Sequence, residues 1–155
     1  MNNFIYTHII VLLLLLSPLF GNAQTKGLDE VQISHIEELM DNGLRFSDTF
    51  HFKDILPIAD ELADYYLQKK DYKHFFLTKQ MENYAISFQG DLNILQQAKD
   101  LHLLADSLNY PLGRAIAHFS VADVYLNTQM IDEALSEYRK AYHLARISNK
   151  EDLVT

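Results

Sequence analysis

The sequence predicts an all-α fold built from one helical hairpin repeated about three times, and three observations carry that prediction. The dipeptide Leu-Ala recurs at Leu62-Ala63, Leu104-Ala105 and Leu144-Ala145, at intervals of 42 and 40 residues. Upstream of each copy runs the same stripe, with spacings of four, three and four: Phe52, Leu56, Ala59, Ala63; Ile94, Ala98, Leu101, Ala105; and Ala134, Tyr138, Ala141, Ala145. Such spacings place each stripe on one helix face, and alanine within it lets a second helix come close. No segment alternates as a half-buried strand does.

The elements follow in order. The run "IIVLLLLLSPLF", Ile9 to Phe20, holds no charge, and small residues Gly21 and Ala23 follow it as a signal peptidase site requires. Twelve apolar residues fall short of the roughly 20 that span a bilayer, so residues 1–23 are expected to be a signal peptide and the mature protein to begin at Gln24. The segment before the run, "MNNFIYTH", lacks the usual Lys or Arg, which keeps an uncleaved inner-membrane anchor as the alternative.

Residues 24–155 then form the repeat domain, with units at about 28–69, 70–109 and 110–149 and the start of another at 150–155. Each striped helix follows another helical segment. These partners are "LDEVQISHIEELMDN", with Val31, Ile36, Leu39 and Met40 as its apolar residues; "FFLTKQMENYAISF", with a face of Leu77, Met81, Tyr84 and Phe88; and "RAIAHFSVADVYLN". Turn signals separate them at Asn42-Gly43, Gly90-Asp91 and Asn109 to Gly113. Pro57 fits if Asp54 caps its helix, since it then lies in the first turn, where its missing N–H has no intrahelical role.

Charge and composition narrow the function. Net charge is −8, and residues 28–69 carry ten acids against three bases. A chain without clustered Lys and Arg is a poor nucleic-acid binder. The absence of cysteine excludes disulfides and thiolate metal sites. None of the seven histidines forms H-E-x-x-H, and "HIEEL" at His35 lacks the second histidine of a zinc helix. No phosphate-cradling glycine loop occurs, and the acid pairs are adjacent in sequence, so on a helix they point about 100° apart. No enzyme activity, cofactor or metal is expected.

The stretch "VADVYLNTQMIDEALSEYRKAYHLA" resembles a tetratricopeptide repeat, through Ala122 with Tyr125 three residues on, then Ala134, Tyr138 and Ala141. The match covers 114–149 well, 70–109 less well, and 28–69 only as a stripe. It departs from the family in its period, usually 34, in lacking the first-helix Trp and Gly, and in placing Met81 at a small position. The longer period is similar to arrays ahead of the membrane span in some bacterial sensor kinases and regulators; HEAT-like repeats of 40–47 residues are the structural alternative.

What the resemblance implies is a right-handed superhelical solenoid whose first helices line a groove for a protein or peptide partner. Its groove residues would be Phe119, Asp123 and Asn127, with Thr78 and Glu82 one hairpin earlier, while Ala122, Tyr125, Ala134, Tyr138, Ala141 and Ala145 pack helix on helix. Two functions follow as expectations: a periplasmic binding scaffold, or the sensory front of a longer histidine kinase or transcriptional regulator. Leu135, Tyr138, Tyr142 and Leu144 face where a further hairpin would stack, so self-association through this edge is also expected.

Overall fold

The computed structural model describes residues 28–41, 56–88 and 93–151, with side chains placed as far as Ser148. The described chain is all-helical: α1 (Glu30–Asp41), a 3-10 turn (Leu56–Ile58), α2 (Ala59–Lys69), α3 (Tyr72–Ser87), α4 (Ile94–Ser107), α5 (Pro111–Asn127) and α6 (Ile131–Glu151). No described helix is long and apolar enough to cross a membrane. The signal-peptide segment, Phe52, Asp54 and the glycine turns at 42–43 and 90–91 lie outside the described residues.

Three of the connections are built alike. After α2, Asp71 N donates to Tyr66 O and Lys70 N to Leu67 O; after α4, Tyr110 N to Ala105 O and Asn109 N to Asp106 O; after α5, Met130 N to Tyr125 O and Gln129 N to Leu126 O. Each pair is a Schellman closure around one left-handed residue, with φ of 59° at Lys70, 49° at Asn109 and 63° at Gln129. None is glycine, so of these stops the sequence signals only the one at Asn109. Short turns of this kind return each helix beside the one before it.

Contacts across helices give the directions. Asp60 pairs with Lys79, and Tyr66 lies against His74, so α2 and α3 run antiparallel. Asp106 with Arg114, and His102 with His118, do the same for α4 and α5. The most extensive contact is between α5 and α6, and α3 and α5 also pack side by side. Polar pairs fix the register of those two: Gln80 with Asp123, Asn83 with Ser120, and Ser87 with Asn127. These partners are 43, 37 and 40 residues apart, and Tyr72 and Phe76 meet Tyr110 at one end while Ser87 meets Asn127 at the other, so α3 and α5 are parallel and offset by about one repeat period. The core runs along this stack, with Tyr66, Phe76, Leu62, Met81 and Ile94 the largest buried apolar side chains.

The fold differs from the sequence reading at several points. The second stripe is wholly buried, but in the third only Ala134 and Ala141 are, while Tyr138 and Ala145 remain half-buried. In α1, Val31 faces solvent at 78% exposure and Ile33 takes its place in the core beside Ile36 and Met40. Pro57 belongs to the 3-10 turn that leads into the α-helix starting at Ala59. Gly113 lies inside α5, where a Cβ would come within 2.6 Å of the Tyr110 ring and 3.0 Å of Phe76. It permits close packing there and does not form the turn. Helix α6 runs to Glu151. Finally, α3 touches α4 less than α5 does, and α1 meets α3 in preference to α2; only the third unit is a closely crossed hairpin.

Candidate functional site

The strongest candidate is an apolar cleft of about 460 Å³ walled by α3, α5 and α6. Leu77 and Gln80 close one side, Leu112, Ala115, Ile116 and Phe119 form the floor, and Tyr138, Ala141, Tyr142 and Ala145 form the opposite wall. Helical spacing explains the wall, since 138, 141, 142 and 145 share one face of α6. Alanine at 141 and 145 leaves the space that larger side chains would fill. Phe119 is 39% exposed and Tyr142 67%, so two aromatic faces stand open to solvent. Edge-to-face packing of Phe119 on Tyr138, with centroids 5.2 Å apart, fixes the inner end.

A buried carboxylate anchors that end. Asp123 accepts hydrogen bonds from the Tyr138 hydroxyl at 2.7 Å and from the Gln80 amide at 2.6 Å. Burial raises the Asp123 pKa to about 6, against the opposing pull of the two donors. Tyr138 is raised too, first by burial and then by its bond to Asp123. The phenol is therefore a fixed neutral donor, and its ring is held as part of the cleft wall.

On the other side of α5, His118 Nδ1 lies 2.6 Å from Glu137 and His118 Nε2 lies 3.0 Å from His102 Nε2. Burial pushes the Glu137 pKa up, but Lys140 and His118 outweigh it and the carboxyl is lowered. The Glu137 carboxylate accepts from His118 Nδ1–H, and the Nε2 atoms of His118 and His102 are close enough to share one further hydrogen bond. These histidines line a smaller hollow of about 300 Å³ with Lys99, Leu103, Val121 and Tyr125.

The five residues expected to face a groove do not form one surface. Only Phe119 lines the cleft. Thr78 is fully buried, donating to the His74 carbonyl at 2.8 Å, and Asp123 is buried as described. Asn127 is half-buried and donates to Ser87 at 2.6 Å. Glu82 pairs with Lys79 and faces a different hollow with Asp60 and Asp100. The cause is the central position of α3, which has neighbours on several sides, so its polar residues meet other helices instead of solvent. Among the packing residues, Ala122 and Ala134 are buried, and Tyr125 is half-buried against Val121 and Val124. Tyr138, Ala141 and Ala145 line the cleft as well as packing. The α6 wall was the part of the site that groove reasoning missed, although the α6 stripe held three of its four residues, Tyr138, Ala141 and Ala145.

No protein-family model, curated protein or solved structure matches the chain at a significant level.

Proposed function

We propose that this protein is a short tetratricopeptide-like solenoid that binds an amphipathic helical segment of a partner protein in the α3/α5/α6 cleft, and that it does so after export. The observation that carries this reading is the place of the cleft within the repeat. Stripe two, Ile94, Ala98, Leu101 and Ala105, is buried on α4, against which α5 packs. Forty residues on, stripe three contributes Tyr138, Ala141 and Ala145 to an open wall. A helix laid there would repeat the place that α5 takes beside α3 and α4. The parallel register of α3 and α5 at about one period supports the stacked-array reading.

Binding by this route is the helix-in-groove mode, in which anchors spaced three and four residues apart enter an apolar channel. Covering an aromatic or leucine side chain fully is worth roughly 1.5–3 kcal/mol, so two or three anchors support useful affinity. Export rests on the apolar run and small-residue site before Gln24.

Peptides selected from a random display library against the full chain provide the test. Enriched sequences should carry apolar anchors at helical spacing, and Ala141→Phe should weaken their binding at least about tenfold by filling the channel. Winners that bind Ala141→Phe as tightly as the original protein would remove the cleft as the site. Sedimentation of the protein without peptide gives a second readout, since a concentration-dependent dimer lost in Tyr142→Glu would make a second copy the occupant.

A further inference from the structure

The mouth of the α3/α5/α6 cleft carries a charge that its walls lack. Among the described residues, none that lines the cleft is charged. Along α6, however, residues 138–148 hold Arg139, Lys140 and Arg146 and no acid, in a chain whose net charge is −8. Lys140 is engaged by Glu137. Arg139 and Arg146 are exposed, and neither has a carboxylate partner among the described residues.

Their positions set both arginines at the outer edge of the α6 wall. They are seven residues apart, so they share a helix face at a separation of about 10 Å. Each lies three or four residues from Tyr142, the most exposed residue of that wall. The Arg146 guanidinium lies over the Tyr142 ring, 5.8 Å from its centroid, which holds the charge at the mouth and leaves its N–H donors open to a carboxylate. Leu135, 48% exposed, continues the same edge toward the start of the helix. The two arginines thus flank apolar surface that itself lacks a cover.

Elsewhere around the cleft the charges are taken. On α3, Lys73 pairs with Asp41, and Lys79 with Asp60 and Glu82. On α5, Arg114 pairs with Asp106, His118 with Glu137, and Asp123 is buried against Tyr138 and Gln80. The remaining acids of α6, Asp132 and Glu133, stand in its first turn, ahead of the wall. The uncommitted charge beside the wall is positive.

We propose, building on the reading of the cleft as a helix-binding channel, that the partner helix is acidic. Beside its apolar anchors it carries Glu or Asp at two positions about seven residues apart, which meet Arg139 and Arg146 when the helix lies along α6. The rest of the chain, with its excess of acid, repels such a helix, so the arginine edge sets where it lands and in which register. A basic helix with the same anchors meets like charge at that edge and is rejected.

A helical display library selected against the full chain, with the positions flanking the apolar anchors drawn equally from Glu, Gln and Lys, tests the charge. Selected peptides should be enriched in Glu on one flank. Changing two such Glu residues of a selected peptide to Gln should weaken binding about fivefold at low salt and much less in about 0.5 M NaCl. That difference should vanish in the Arg139→Gln/Arg146→Gln protein. Peptides that lose binding to Ala141→Phe but show no excess of Glu would overturn the acidic partner and leave the cleft standing. So would a Glu preference that the double arginine variant keeps. Peptides that bind Ala141→Phe unchanged would remove the cleft, and this inference with it. A dimer of the chain alone, lost both in high salt and in the double arginine variant, would replace the separate partner with the acidic first third of a second copy.

Discussion

Helix α5 meets two neighbours in opposite ways. Toward α3 it presents Ser120, Asp123 and Asn127, which bond to Asn83, Gln80 and Ser87 across a partly polar seam. Toward α6 it meets Ala134 and Tyr138, in the most extensive helix contact among the described residues. The polar seam fixes register, because each buried donor must find its acceptor and a slip would leave several unsatisfied. The alanine seam fixes distance, since small residues allow close approach but specify little about sliding. A stack of hairpins needs both, and here one helix supplies them on different faces.

Breaking the alanine seam should have the largest effect. Ala134→Leu forces a larger side chain into a nearly fully buried site and should cost about 2–3 kcal/mol by urea denaturation. Ser136→Leu, on the exposed face of the same helix, should stay within about 0.5 kcal/mol. The stripe alone would assign Ala141 the same intolerance. Ala141 is also buried but lines the cleft, so Ala141→Phe can extend into that space and should cost less than Ala134→Leu while blocking the channel.

The polar seam should respond to pH. Asp123 has its pKa raised from 3.8 to about 6, so the folded protein binds that proton more tightly than the unfolded chain does. Its neutral form therefore contributes stability that is complete below about pH 4 and is lost as pH rises through 6. Asp123→Asn keeps an acceptor for Tyr138, and its amide can donate to the Gln80 oxygen once the Gln80 amide turns over. That variant should be more stable than the original by on the order of 2 kcal/mol at pH 7, with the difference vanishing near pH 4. A pH-independent difference would place the titration elsewhere.

The smallest effect belongs to the turns. Gln129 holds a left-handed conformation with φ of 63°, which glycine adopts without strain. Gln129→Gly should stabilise by about 0.5–1 kcal/mol in thermal melts, and the same change at exposed Ser136 should destabilise.

Helix number and type were legible because stripes at helical spacing report burial directly, and Ile94, Ala98, Leu101 and Ala105 are all buried. The seam between α3 and α5 was not. Asp123 was expected on an open groove, and the parallel neighbour α3, through Gln80, makes it interior. Phe119 could be placed in a groove because an aromatic among polar neighbours on one face stands out. Thr78 and Glu82 shared its spacing but not its surroundings, as α3 lies against α1, α2, α4 and α5.

Amide chemical-shift mapping by NMR tests the cleft most directly, using a helical peptide selected against the protein. Perturbations should concentrate on Leu77, Leu112, Ile116 and Phe119 and on α6 from Tyr138 to Ala145, and they should disappear in Ala141→Phe. Shifts centred instead on the acidic hollow of Asp60, Glu82 and Asp100, persisting in Ala141→Phe, would contradict a partner helix in the α3/α5/α6 cleft.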